Sequence, residues 1–253
     1  DKRLRSVLPI MIKAIDRFLD HQTMYRLVLY YLIALWGTAF VLGFIGLVPH
    51  QPATLAFTAM LSLAACWITN RVFVLVFEIP ANSESVYITA LILALILDPV
   101  GVADLKGIGA VGFASVWAIS SKFIFAVGRK HLFNPAALGV ALSAFLLDQP
   151  ATWWISSKLW LLPFVLAGGF LIGRKLRRLD LVATFLMVAL ATILATTEPS
   201  QYGAALKETL GYSPLLFFAF VMLTEPLTAP TTRWPRIAFA AIVGFLFAPN
   251  IHV

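Results

Sequence analysis

The sequence predicts an all-α integral membrane protein, and two observations support that prediction. Of 253 residues, 60% are hydrophobic and only 12% are charged, with a mean hydropathy of +0.90. Soluble domains carry about 25% charged residues, so this chain lacks the polar side chains that would cover a folded body in water. The chain also contains nine apolar segments, separated by proline, glycine and charged residues. A water-soluble fold is therefore excluded.

The first 22 residues precede these segments and differ from them. They mix apolar residues with Lys13, Asp16, Arg17 and Asp20 at helical spacing. A secretory signal peptide needs an uninterrupted apolar stretch, which is missing here. We therefore expect residues 1–22 to form an amphipathic helix on the membrane surface and residues 23–253 to form the transmembrane domain.

Three of the nine predicted segments are too short to cross a bilayer as regular helices. Crossing takes about 20 apolar residues, whereas 86–98, 133–147 and 213–228 are shorter and carry a proline near one end. Broken helices are tolerated in membranes where their free backbone groups are buried in protein or face a site. Function is therefore expected at these three short segments. The full set is 25–48, 53–77, 86–98, 108–127, 133–147, 153–173, 179–197, 213–228 and 234–249.

The placement of lysine and arginine predicts the orientation. If the nine segments alternate in direction, 16 of the 19 cations fall on one side, and only Lys106, Lys158 and Lys207 fall on the other. Cytoplasmic loops carry such an excess, so we expect a multi-pass protein of the cell (inner) membrane with a cytoplasmic N-terminus. The net charge of +7 then reflects topology and predicts no nucleic-acid partner.

Two similar motifs indicate an internal repeat. Residues 93–100 and 220–227 are both short apolar runs that end in an acid followed by proline, and they close the third and eighth segments. These segments run in opposite directions, which is typical of an inverted repeat of five plus five helices. The offset from Asp98 to Glu225 is 127 residues. Added to Phe133, it places a tenth helix near residue 260, so we expect the natural protein to continue beyond residue 253.

Asp98 and Glu225 are the carboxylates at the ends of these short helices. An ionisable residue in a membrane segment is costly and is often functional, for example on an ion path. It can also act as a structural clamp that accepts hydrogen bonds from backbone N–H groups freed by the adjacent proline. Both interpretations stay open for both residues.

Two further stretches could bind a ligand. The stretch after Glu225 offers the hydroxyls of Thr228, Thr231 and Thr232, followed by Arg233, an inventory suited to an anionic or heteroaromatic ligand. Asn134 precedes Pro135 in the manner of a helix N-cap, which ordinary capping would explain. The single cysteine and the four histidines predict no metal site.

Taken together, these pieces resemble a known family. Four pieces follow one another along the chain: the run 87–99 that ends in Asp98-Pro99, Lys122, Phe133-Asn134-Pro135-Ala136, and the run 223–232 around Glu225. In this order they are similar to the RnfD/NqrB family of membrane subunits of ion-translocating electron-transport complexes. The resemblance extends from about residue 85 to 247. It implies a ten-helix inverted-repeat fold, flavin cofactors (FMN or riboflavin), electron flow coupled to Na⁺ or H⁺ movement, and other electron-transport subunits as partners.

The resemblance also suggests roles for individual residues. Asn134, Pro135, Thr228, Thr231 and Thr232 would hold the flavin ring or phosphate, with Lys122 and Arg233 as nearby cations. Family members carry FMN esterified to a threonine in an Asp-x-x-Ser-x-Ala-Thr type sequence. Here the corresponding place reads Asp148-Gln-Pro-Ala-Thr152, with shortened spacing and an intruding proline. Thr152 is thus a degenerate candidate for covalent attachment, and non-covalent flavin is favoured.

The first functional hypothesis is a flavin-binding electron-transfer protein, an oxidoreductase component. It would pass electrons from a cytoplasmic NAD(P)H- or ferredoxin-linked donor through the membrane domain. Similar proteins are sometimes fused to a ferredoxin-reductase-like module, which would add FAD and NAD(P)H. Two alternatives stay open: a channel or transporter with Asp98 and Glu225 along an ion or small-solute path, and a flavin-free scaffold subunit.

Overall fold

The computed structural model describes residues 17, 19–78, 82–128, 130–156 and 159–251, and over these ranges the chain is mainly helical. The predicted surface helix at 1–22 lies outside them, apart from residues 17 and 19–22. In chain order the elements are α1 (Met24–Phe44), α2 (Pro52–Phe77), α3 (Ser83–Ile96), α4 (Leu105–Ile124), β1 (Ala126–Val127), β2 (Lys130–His131), α5 (Pro135–Leu147), α6 (Leu162–Lys175), α7 (Leu179–Ala195), α8 (Tyr202–Gly211), α9 (Leu215–Phe217) with its continuation as a π-helix (Phe218–Met222), and α10 (Arg233–Phe247).

Within the described ranges, three helices, α1, α2 and α4, are long and apolar enough to cross a bilayer. Helices α3, α5 and α7 are apolar but shorter. This confirms the all-α, membrane-type fold class, and the predicted limits of α1 to α5 hold to within three or four residues. The only strands among the described residues, β1 and β2, form a small antiparallel hairpin in which Ala126 pairs with His131.

Helix α4 begins where the sequence supplies a cap. Asp104 Oδ1 accepts a hydrogen bond of 2.9 Å from the Gly107 backbone N–H. A helix start leaves four N–H groups without partners, and a side-chain acceptor satisfies one of them. The cap therefore fixes the start of the helix that leads to Lys122.

We expect Asp104→Ala to lower the free energy of unfolding by about 1 kcal/mol, because the capping acceptor is lost. Asp104→Ser should retain most of the stability, since a serine hydroxyl can accept the same bond. Thermal unfolding of both variants in one detergent would measure the effect. Equal midpoints for the alanine and serine variants would contradict the capping role.

The predicted segment 153–173 was wrong at its start, because α6 begins only at Leu162. Proline stands at the start of the helix at position 163, where it is compatible with a first turn but disfavours helix in the residues before it. Asp148 and Trp153 have positive φ angles of 55° and 52°, so the backbone between α5 and α6 departs from right-handed helical geometry at two residues. Residues 148–156 and 159–161 consequently form irregular loop and turn structure.

The predicted segment 213–228 was also wrong in its limits. Helix α9 continues as a π-helix that ends at Met222, and residues 223–228 form turns. The prediction also missed α8, a helix between α7 and α9 that is mostly exposed. Its sequence is too polar to register in a search for apolar runs.

The core is built around two short helices. Helix α3 is buried continuously from Thr89 to Leu97, surrounded by α1, α2, α4 and α5. The stretch from Leu215 to Thr224 is buried almost as completely, and it packs against α6, α7 and α8. Two short central helices with longer helices around them are the arrangement in which broken helices are tolerated.

Candidate functional site

A cleft of about 560 Å³, counted to its open mouth, lies between the beginnings of α1, α3 and α5 and the end of the π-helix. Its walls are largely apolar and include Val28, Ile88, Ile92 and Val221. Polar groups are contributed by Tyr25, Ser85, Asn134, Thr224 and Glu225. An apolar cleft with a few convergent polar groups is the usual form of a site for a small molecule or cofactor.

Asn134 and Glu225 make the central polar contact of this cleft. Asn134 Nδ2 donates a hydrogen bond of 2.8 Å to Glu225 Oε2, and Asn134 Oδ1 accepts one of 3.0 Å from the Ala137 backbone N–H. The side chain therefore caps α5 and holds the carboxylate at the same time. Thr228 Oγ1 lies 3.5 Å from Glu225 Oε2 and adds a weak donor. Two sequence motifs 91 residues apart thus meet in one place.

Lys122 lies next to this contact, at the end of α4. Its Nζ donates to the backbone oxygen of Ser85 at 2.8 Å and to the Ser85 hydroxyl at 2.9 Å. The ammonium group is also attracted electrostatically to Glu225. Glu225 and Ser85 line the cleft, and Lys122 lies behind Ser85, which fixes the position of the cation.

His131, in the hairpin after α4, borders Lys122. Burial lowers the pKa of His131, and the Lys122 charge lowers it further, with partial compensation from a hydrogen bond to the Lys122 backbone. The imidazole is thus neutral at pH 7, because its ordinary value of about 6.5 already lies below that pH.

Three of the residues predicted to bind a ligand in the stretch after Glu225 do not line the cleft. Thr231, Thr232 and Arg233 are exposed at the start of α10. Thr232 is the N-cap residue of that helix, without a capping hydrogen bond from its side chain. The structure brings together five of the predicted residues: Lys122, Asn134, Pro135, Glu225 and Thr228. Thr231, Thr232 and Arg233 are not part of this group.

Asp98 and Thr152 lie at the opposite end of α3 from the cleft. About 17 Å of helix separates Ser85 from Ile96. Asp98 is exposed there, and the Thr152 hydroxyl is 3.5 Å from the backbone oxygen of Ile96. Asp98 and Glu225 therefore do not form one site.

The loop after α5 closes that end of α3. The backbone N–H groups of Trp153 and Ile155 donate to Ile96 and Leu95, and the Trp154 indole donates to Ala94. The last carbonyl groups of a helix have no partner within the helix, so this loop supplies the missing donors. Trp153 and Trp154 have structural contacts here.

Sequence reasoning missed Ser85 and Tyr25 as cleft residues. Ser85 sits in the first turn of α3, and its only signal was its place at the beginning of a short helix. Tyr25 belongs to the first turn of α1, which the sequence marks only as the start of an apolar run. No group of three His, Cys, Asp or Glu side chains that could hold a metal ion occurs among the described residues.

Comparison with known proteins supports the resemblance found in the sequence. Residues 157–249 match the model of the NQR2, RnfD, RnfE family. The chain is also 38% identical over 78 residues to the RnfD subunit of the ion-translocating oxidoreductase complex of Halorhodospira halophila (strain DSM 244 / SL1). That match covers 30% of this chain and 22% of the relative, so the chain is compared with only about a fifth of the relative's length. Together with the apolar helices, the match indicates a multi-pass membrane protein.

Proposed function

We propose that this chain is a flavin-binding membrane subunit that carries electrons in an ion-translocating oxidoreductase complex. The observation that supports it best is the contact between Asn134 and Glu225 in the cleft. That contact joins the Asn-Pro-Ala motif to the Thr-Glu-Pro-Leu-Thr motif, two of the sequence pieces that resemble the family. The relative is named as a subunit of such a complex, which makes other electron-transport subunits the expected partners.

The lining of the cleft suits a flavin. The enclosed space is about 50 Å³ and the space counted out to the open mouth is about 560 Å³, so a flavin would occupy the mouth as well as the interior. The aliphatic walls of the cleft suit a flat aromatic ring, whereas Asn134 and Ser85 provide polar groups for the edge of that ring. Riboflavin or FMN without a covalent bond is therefore the cofactor we propose.

The chain's own residues would bind and orient the cofactor. The Asn134 amide, fixed by its two hydrogen bonds, presents a positioned polar group, and Lys122 adds a positive charge that favours an anionic ligand. Pro135 and Thr228 border these groups. Once bound, a flavin supplies one- and two-electron redox chemistry, whereas the protein supplies position and electrostatics.

The helix positions support an inverted repeat of five plus five helices. Helix α7 begins at Leu179, which is 127 residues after Pro52 at the start of α2, the same offset that separates Asp98 from Glu225. Helix α2 packs along α4, and α7 packs along α10. Equal spacing and equivalent neighbours are what a duplicated unit produces. A counterpart of α5, following α10, would complete the second unit.

The cleft would then open towards the cytoplasm. The beginnings of α1, α3 and α5 meet there, together with the ends of α4 and α6, which is the side that receives most lysine and arginine residues. A cytoplasmic mouth would place the cofactor near a donor linked to NAD(P)H or ferredoxin. Such a donor could be a separate subunit or a fused reductase module with FAD.

Ion translocation is the second part of the proposal, because the name of the relative includes it. Asp98 and Glu225 lie at opposite ends of α3, as the two ends of a path for Na⁺ or H⁺ would. They would serve as separate sites and not as a shared one.

The visible absorption spectrum of the purified protein in mild detergent tests the flavin. A flavin spectrum that is bleached by dithionite and released to the supernatant by acid would support non-covalent binding. Colour retained in the acid pellet would assign the flavin to a covalent site, with Thr152 as the first candidate. A colourless, folded protein that also fails to bind added riboflavin and FMN would contradict the proposal.

We expect Asn134→Ser to lower the affinity for flavin by about tenfold or more, because a polar contact to the cofactor is lost while the serine hydroxyl still caps α5. The matched control is Asn82→Ser. Asn82 caps α3 through a hydrogen bond from the Glu84 backbone N–H, and it is exposed. Flavin fluorescence titration would compare the variants. Equal losses in both would indicate that capping alone matters.

A further inference from the structure

Arg178 is a buried cation for which the described part of the chain supplies no hydrogen-bond acceptor. It immediately precedes α7, and only 6% of it is exposed. Its Nη1 atom is buried and has no hydrogen-bond partner among the described residues. Burying an unpaired charge is costly, so an arginine in this environment normally has an anion or several acceptors around it.

Arg236, in the first turns of α10, lies close enough to Arg178 for the two charges to repel each other. Its Nη2 donates to the Asp180 carboxylate, but its Nε is buried and has no partner within the described ranges. Asp180 is the carboxylate that attracts Arg178 as well, and its Oδ1 also accepts a bond from the Leu181 backbone N–H. Two guanidinium groups thus share one carboxylate, which leaves one positive charge uncompensated.

The backbone adds to this positive field. Arg178 precedes the first turn of α7, and Arg236 lies in the first turn and a half of α10, so two helix N-termini converge with the two arginines. Each N-terminus carries a partial positive charge and free N–H groups. The exposed Trp234 lies two residues from Arg236. Tryptophan is enriched where a membrane meets water, which is consistent with a location at the headgroup level.

We propose that the adjacent N-terminal ends of α7 and α10 bind a phosphate group through Arg178 and Arg236. A guanidinium fork matches the geometry of a phosphate, and a pair of forks at helix N-termini is a typical phosphate environment. The source of the phosphate is either the headgroup of an anionic phospholipid in the adjacent leaflet or inorganic phosphate from solution. The proposal does not depend on the flavin, because none of these residues lines the cleft.

Arg178→Met provides the first test, because methionine keeps much of the volume and removes the charge. Without any phosphate compound, the variant should unfold at the same temperature as the unaltered protein or at a higher one, since a buried unpaired charge has been removed. Phosphatidic acid in mixed micelles should raise the unfolding temperature of the unaltered protein but not that of the variant. Arg177→Met is the matched control, because it removes the same charge from the exposed neighbouring position.

Three additives distinguish the sources. Phosphatidic acid tests a lipid phosphate, inorganic phosphate tests the free anion, and diacylglycerol tests acyl chains without phosphate. A shift with phosphatidic acid alone, absent in Arg178→Met and present in Arg177→Met, assigns a lipid headgroup. An equal shift with inorganic phosphate assigns the free anion. Equal shifts in Arg178→Met and the unaltered protein, or an equal response to diacylglycerol, would overturn the proposal.

Arg178→Lys keeps the test valid if Arg178→Met does not fold. Lysine retains the charge but lacks the planar pair of donors. We expect the apparent dissociation constant for phosphatidic acid to rise about tenfold, as the loss of one charge-assisted hydrogen bond predicts. An unchanged constant in this variant would also count against a site at Arg178.

Discussion

Replacing Lys122 by methionine is expected to destabilise the protein by about 2 kcal/mol, because Ser85 loses the charged donor of two hydrogen bonds. Lys122 provides the positive charge that attracts Glu225, and its Nζ bonds to both oxygens of Ser85. Methionine has a similar length but no charge or donor. Among the described residues, the carboxylate would then keep the Asn134 amide and the Thr228 hydroxyl as hydrogen-bond donors.

A double-mutant cycle would isolate this interaction. Glu225→Gln removes the opposite charge, and the combination with Lys122→Met should recover part of the stability that the single lysine variant loses. Lys106→Met is the matched control, since Lys106 is exposed near the other end of the same helix. Thermal or denaturant unfolding would measure each free energy. Strictly additive effects of the two substitutions would show that the charges do not interact.

Gly139→Ala is expected to destabilise the protein by about 3 kcal/mol, because α4 and α5 approach too closely for a side chain at this position. A Cβ atom at Gly139 would clash with the backbone oxygen of Ala114 and would lie 3.0 Å from the Ala118 Cβ. Neither is the end of a flexible side chain, so relief requires the helices to move apart. Such a shift would also displace Asn134 at the start of α5.

Gly109→Ala is the control for this effect. Gly109 is exposed on α4, and an added Cβ would meet nothing within 4 Å. Alanine is the better helix former, so this variant should be neutral or slightly more stable. Relative to the unaltered protein, the unfolding temperature should fall in Gly139→Ala and should stay the same or rise slightly in Gly109→Ala. A stable Gly139→Ala protein would contradict the close packing of α4 on α5.

Hydrophobic runs predicted α1 to α5 well because apolar length and proline position act locally. The same reasoning failed at residues 153–156 and 159–161, which were predicted to be helical but form loops and turns. Here the backbone N–H groups of Trp153 and Ile155 bond to the end of α3, about 60 residues earlier. A tertiary contact of this kind overrides a local pattern and leaves no local signal.

The candidate site was predictable only in part, for a similar reason. Asn134 and Glu225 were identified because each belongs to a short motif beside a proline. Their hydrogen bond, and the bonds between Lys122 and Ser85, join residues that are 91 and 37 positions apart. Arg178 was included only in a count of charges, since burial of an arginine cannot be seen in a sequence.

The π-helix at Phe218–Met222 sets the direction in which Glu225 points. A regular α-helix turns by about 100° per residue, so the wider turn of a π-helix places the residues after it as if one residue had been inserted. Removing one residue from Phe218–Met222 would restore an α-helix and rotate the chain beyond Met222 by about that angle. Glu225 would then point away from the Asn134 amide that now holds it. The orientation of this carboxylate thus depends on helical phase as much as on its own side chain.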